Sequence, residues 1–137
     1  MRAELRWPLC RQTVTLYHAD PAARQVTRVV VRGAFLDHRR REVMDTASQS
    51  GTAFLLITPE RSARWGVDYT LAPHDRVYDG EGPEVSYDGW PAFVPASVPG
   101  LAAVQYVDPK ARDGAPSHLE AGGWWTHAGS GAHSLSN

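Results

Sequence analysis

Ten prolines and 12 glycines break this 137-residue chain into short segments, and none of them carries the apolar spacing of a four-turn amphipathic helix. What lies between the breakers is β-branched, aromatic and alternating. Thr13–His18 (TVTLYH) puts Val14, Leu16 and His18 on one face and Thr13, Thr15 and Tyr17 on the other, which predicts a strand. Asp20-Pro21 starts a turn, and Gln25–Phe35 returns as a second strand in which Gly33 marks a bulge or bend. Ala53–Thr58 (AFLLIT) is an apolar run ended by Pro59, the pattern of a central strand. His74–Tyr78, Leu101–Val107 (ended by Asp108-Pro109) and Ser117–Ala121 supply further strands, with Val85–Tyr87 pairing back across a turn at Asp79–Pro83.

The remaining segments divide by composition. Leu36–Met44 reads either as a polar edge strand or as a short helix, and Asp45–Gly51 as a loop. Glu60–Gly66 fits one helical turn, Val67–Leu71 an extended stretch and Lys110–Pro116 a loop. Pro91, Pro95 and Pro99 exclude helix from Trp90–Gly100 and favour extended or polyproline geometry. The expectation is an all-β fold, a small barrel or sandwich of six to eight short strands over residues 13–121. An N-terminal arm (residues 1–12) and a Gly/Ser/Trp-containing C-terminal tail (residues 122–137) flank it, and the length suits one domain.

Charge is balanced at 14 basic against 15 acidic residues, which argues against a large positive nucleic-acid-binding surface. The clustered basic run is Arg39-Arg40-Arg41 after His38. Cys10 is the single cysteine, so no intrachain disulfide framework is expected, and it reads as a semi-buried small apolar residue rather than a nucleophile. No apolar run reaches the ~18 residues of a membrane span. The start, MRAELRWPLCRQ, lacks the apolar stretch of a signal peptide, so synthesis in a cytoplasm is expected.

Residues that carry chemistry elsewhere lack supporting patterns here. His118-x-Glu120, His127 and His133 offer metal-ligand chemistry without a HExxH or a Cys/His quartet, so no metal and no cofactor is expected. His74-Asp75 has the composition of a hydrolase Asp–His pair, yet no Gly-x-Ser-x-Gly elbow accompanies it and a turn is the simpler reading. Asp79, Glu81, Glu84 and Asp88 crowd a glycine-proline loop whose spacing does not fit a calcium EF-hand. No phosphate-binding glycine motif is present, and the expectation is that the chain is not an enzyme. Four of the five tryptophans, Trp7, Trp90, Trp124 and Trp125, lie outside the predicted strands. Tryptophan on irregular segments caps a core or anchors a partner, so these four, with Leu9, are candidate assembly contacts. A carbohydrate- or peptide-binding β-domain would use the same tryptophans as stacking platforms, and a metal hydrolase would use His118, Glu120 and His127.

The order and spacing of TVTLYH, GAFLD, FLLITP, HDRVYDGEGPEV, VPGLAAVQYVDPK and HLEAGG resemble the head–tail connector proteins of tailed phages, which include head-completion, head-to-tail stopper and minor capsid-like proteins. The similarity spans about Thr13–Gly123. It is strongest at Thr15–His18, at Asp75–Val77 with Gly80–Pro83, and at Pro99–Leu101 through Asp108-Pro109. The resemblance implies a β-barrel subunit of a homo-oligomeric ring in the virion neck. Such a ring docks on portal and adaptor proteins, meets tail-terminator or tail-tube proteins, and helps retain packaged DNA without sequence-specific contacts and without a membrane. A tail-terminating or minor capsid role is the alternative in the same class. Under this reading Asp79, Glu81, Glu84 and Asp88 form the candidate channel-facing loop, where a ring of carboxylates would repel phosphate.

Overall fold

The computed structural model describes residues 9–43 and 49–126, with side chains described for 9–38 and 53–123. Trp7, His127 and His133 lie outside the described residues. Seven antiparallel strands build a curled half-barrel: β1 (Gln12–Asp20), β2 (Gln25–Val43), β3 (Gln49–Pro59), β4 (Arg76–Asp79), β5 (Leu101–Ala103), β6 (Tyr106–Arg112) and β7 (Ala115–Thr126). Their spatial order is β5-β4-β1-β2-β3-β7-β6. The described residues contain no α-helix.

β2 is the spine of the sheet. Its first half pairs with β1 and its second half with β3, from Phe35↔Ile57 to Val43↔Gln49. That pairing resolves the ambiguous stretch after Leu36 as strand, which brings β2 to 19 residues, because β3 offers ladder partners to the backbone groups that point toward it. Gly33 is the expected bulge. Gln12 pairs with Ala34 and Thr13 with Arg32, which leaves Gly33 unpaired at a φ of 94°. The extra residue shifts the alternation by one, so Val29 and Val31 before it and Ala34 and Leu36 after it all face the same core.

The two edge strands, β5 and β6, are consecutive in the chain and separated by Val104 and Gln105. Residues 101–112 therefore pair at one end with β4 and at the other with β7. Val104 N–H donates to the Asp75 carbonyl and Gln105 N–H to the Gly122 carbonyl, each at 2.9 Å, which continues the pairing across the break. Gly123 makes the approach feasible: a Cβ there would sit 2.7 Å from the Ala103 carbonyl oxygen. Gly122 and Gly123 thus belong to β7, which extends to Thr126, beyond the position where composition starts a tail.

Several local expectations are corrected. The Leu101–Val107 strand is two strands, and Asp108-Pro109 does not end it: Pro109 lies within β6, where an edge position tolerates the missing N–H. The predicted Lys110–Pro116 loop is a β6–β7 hairpin closed by Asp113-Gly114, at φ 53° and 81°, the left-handed pair that tight hairpins favour. Trp90–Ala92 forms one 3₁₀ turn, for which Pro91 is suited because its fixed φ matches the first turn of a helix and its absent N–H would have no partner there. Strand β4 begins at Arg76, not His74, whose φ is 81°. Residues 60–68 make turns rather than a helix, and Val85–Tyr87 does not pair as a strand.

Two cores share β1. Val14, Leu16, Val31, Leu36, Leu56, Val77, Leu119 and Ala121 fill the concave side, with Ala63, Tyr69 and Leu71 of the 60–71 loop packed beneath them. On the opposite face of β1, Tyr17 packs with Phe93 and Leu101 under the 80–100 connection. β1 is therefore buried on both faces, with Val14, Thr15 and Tyr17 fully enclosed.

Candidate assembly surfaces

The acidic loop is held by side chains from β1 and β2. Thr15 Oγ1 donates to the Gly80 carbonyl at 2.7 Å and accepts from Gly82 N–H at 2.8 Å. Tyr17 OH donates to the Pro83 carbonyl at 2.6 Å, and Arg28 donates through Nε and Nη2 to the Gly82 carbonyl at 2.9 and 2.6 Å. A Cβ at Gly82 would collide with the Tyr17 hydroxyl, so glycine is required for the loop to seat. Burial pushes the Tyr17 phenol above its ordinary value, which keeps the hydroxyl a donor.

The arginines that hold the loop also meet its charges. Glu81 lies 3.5 Å from Arg32 and 3.8 Å from Arg28, and Glu84 lies 4.0 Å from Arg28. Exposed pairs of this kind contribute little stability, yet they partly neutralise Glu81. Glu84 remains 89% exposed, and Asp79 and Asp88 are exposed without an ion pair to another described residue. Beyond the loop, Arg76 stacks its guanidinium 4.5 Å from the centroid of the Trp90 ring and donates to the Phe93 carbonyl at 2.9 Å. Phe93 meets Tyr17 edge-on at 4.7 Å between centroids. Trp90 is thus half-buried as part of the second core, whereas Leu9 is 72% exposed.

Comparison with family models, with curated proteins and with solved structures finds no match to this chain. Function is therefore argued from the residues themselves.

The basic run lies on the second half of β2. Arg39 pairs in register with Ala53 and Arg40 with Thr52, and those two residues of β3 pair in turn with Trp124 and Trp125 of β7. The arginine run and the tryptophan pair, remote in sequence, occupy one end of a three-stranded ribbon. The side chains of Arg39–Arg41, Trp124 and Trp125 lie outside the described residues.

Asp75 pairs with His18 rather than with His74. Its Oδ2 lies 2.7 Å from His18 Nδ1 and accepts from Ala72 N–H at 2.8 Å, while Oδ1 accepts from Ala19 N–H at 3.4 Å. This set of donors ties the 72–75 turn to the end of β1, and among the described residues no hydroxyl or thiol side chain is bonded to the His18 ring. Sequence reasoning missed His18 as the partner because 57 residues separate the two. His118 and Glu120 lie on the outer face of β7, where Ser117 Oγ is 3.1 Å from His118 Nδ1 and Tyr106 OH donates to Glu120 at 3.2 Å. Burial lowers the His118 imidazole below its ordinary value. No group of three metal-ligating side chains converges among the described residues, and no helix there is long and apolar enough to cross a membrane.

Proposed function

We propose that this chain is a structural subunit of the neck of a tailed bacterial virus: a ring-forming stopper or connector that joins the portal–adaptor assembly to the tail and helps retain packaged DNA. The observation that carries the reading is the way the phage-like segments assemble. Thr15–His18 on β1, Asp75–Val77 leading into β4, the Gly80–Pro83 loop and Leu101–Ala103 on β5 are spatial neighbours, while Tyr106–Pro109 on β6 pairs with β7 at the far edge of the sheet. They are joined by strand pairing and by the Thr15 bonds to Gly80 and Gly82. Segments that each resemble one family weakly gain weight when they form one connected unit. The body also suits the task. A neck subunit transmits force and blocks a channel without chemistry, which calls for a stiff core and projecting elements for its neighbours. β1, enclosed on both faces, supplies the first, and the β2–β3–β7 ribbon supplies the second.

The test is location. In purified particles of the virus that encodes it, the labelled chain is expected at the joint between head and tail, in the copy number of a ring. Its absence from the particles, or its presence only on the capsid surface, overturns the reading.

A further inference from the structure

The geometry points to strand pairing between copies of this chain, in which the outer edge of β2 on one copy adds in parallel to the outer edge of β7 on the next. The pairing of β1 with β2 stops at Gln12↔Ala34, and the Gln12 side chain finishes that edge. Its Oε1 accepts from Leu36 N–H at 2.9 Å and its Nε2 donates to the Leu36 carbonyl at 3.1 Å, as a ladder residue would. Backbone groups alternate sides along a strand, so those of His38, Arg40 and Glu42 point the same way as those of Leu36, away from β3. No described strand pairs with them. β7 repeats the situation on the other side of the ribbon. Its pairing with β6 stops at Tyr106↔Gly122, while its pairing with β3 runs on to Gly51↔Thr126. The Gly122 carbonyl faces the β6 side, where it accepts from Gln105 N–H, so the backbone groups of Trp124 and Thr126 face that side too. No described strand pairs with these either.

The two edges fit each other. β2 and β7 both run antiparallel to β3 and therefore run the same way, and Arg39–Ala53–Trp124, Arg40–Thr52–Trp125 and Arg41–Gly51–Thr126 form rows across the ribbon. Two copies set side by side with their rows level bring a parallel ladder into phase. Trp124 N–H donates to the His38 carbonyl, Arg40 N–H to that of Trp124, Thr126 N–H to that of Arg40 and Glu42 N–H to that of Thr126. The residue types favour this pairing over β2 with β2. Two β2 edges would bring two Arg39-Arg40-Arg41 runs together, whereas Ala121–Thr126 is uncharged. Pro109 blunts the β6 edge, yet no proline interrupts residues 36–43 or 121–126. A contact between unlike edges is heterologous: each copy keeps one edge open for the next, and a ring forms when the rotation closes. The inference rests on the ring-forming reading above and gives that ring its joint.

Proline at an outward-facing backbone position of the full-length chain tests it, because it removes a donor that β3 does not use. Arg40→Pro strikes the β2 edge and Thr126→Pro the β7 edge; circular dichroism and thermal unfolding check that each folds. By analytical ultracentrifugation each is expected to associate roughly tenfold more weakly than wild type. Arg40→Ala keeps the N–H and should stay closer to wild type than to Arg40→Pro. An equal mixture of the two proline variants forms a dimer and nothing larger, because one intact β2 edge meets one intact β7 edge. Amide exchange at Arg40, Glu42, Trp124 and Thr126 slows as the wild-type concentration rises. A wild type that stays monomeric at millimolar concentration, an Arg40→Ala that fails as fully as Arg40→Pro, or a Thr126→Pro that dimerises unaided, as β2 paired with β2 would, overturns the contact. So does full protection of these amides in the dilute monomer, which would put another segment of the same chain on the edges. Should Arg40→Pro misfold, Glu42→Pro carries the same outcomes. A chain that assembles through these edges yet is missing from viral particles overturns the neck reading and leaves the contact standing.

Discussion

Asp75 is 4% exposed, and burial raises its carboxyl above the ordinary carboxylate value even though His18 and two backbone amides bond to it. The sign of the consequence follows from linkage. A folded-state value above the unfolded ~3.9 means that the native state holds the proton more tightly. That contribution is complete below the unfolded value and is lost as pH rises through the raised folded one. The stability of wild type relative to Asp75→Asn should therefore decline as pH climbs from about 4 toward neutrality, measured by urea denaturation at a series of pH values; a difference that stays flat would sink the assignment. Tyr69 makes a second case. Its hydroxyl and that of Thr58 are buried facing each other, and their contact falls short of hydrogen-bond geometry, as does every other approach to either. Tyr69→Phe removes a polar group that contributes no bond, so it is expected to cost less than ~0.5 kcal/mol or to stabilise, where a bonded tyrosine would lose about 1 kcal/mol. Neither residue was legible from sequence in this respect. Asp75 is adjacent in the chain to a histidine it does not use, and nothing local to Tyr69 tells whether a core position offers an acceptor.

Gly123 decides whether the two edges of the sheet meet. Its missing Cβ leaves room for the Ala103 carbonyl, and backbone cannot swing aside as a side-chain tip can. Gly123→Ala should destabilise by about 1–3 kcal/mol through overpacking at the junction of β5 and β7. Gly114→Ala, with open space around the added carbon but a φ of 81°, should cost about 1 kcal/mol from backbone strain alone. Urea denaturation of the two variants ranks them, and an equal or reversed order contradicts the role given to Gly123. Elements were legible in proportion to how local their causes are. The alternation of TVTLYH and the apolar AFLLIT named β1 and the middle of β3 because pleat and burial impose those patterns directly. Asp113-Gly114 carried a hairpin signal that the surrounding polar residues concealed. The length of β2 had no local signature, since HRRREV is strand only because β3 lies beside it. The candidate surfaces divide the same way. The acidic loop shows in its own residues, while Thr15, Tyr17 and Arg28, which clamp it, come from strands with no marker of that task.

At the scale of the molecule the question is whether two cores make one folding unit. The second core, with Phe93 at 7% exposure, packs on the outer face of β1, while Val14 and Leu16 of the same strand anchor the first. Residues 101–112 add a second link, with Leu101 in the outer core and Val107 against the inner one. A strand buried on both faces cannot lose one partner layer and keep its position, because the exposed face would forfeit its apolar burial while the backbone stayed ordered. Phe93→Ala, which empties a large buried side chain, should cost about 3 kcal/mol. If the cores are coupled, that loss reaches strands that Phe93 never touches. Amide exchange at Leu119 and Ala121 on β7 should then speed up on the order of a hundredfold, in step with Leu16 on β1, because the slowest amides open through global unfolding. Exchange that quickens on β1 and the 80–100 connection while β7 keeps its protection would show the outer core to be a separate layer.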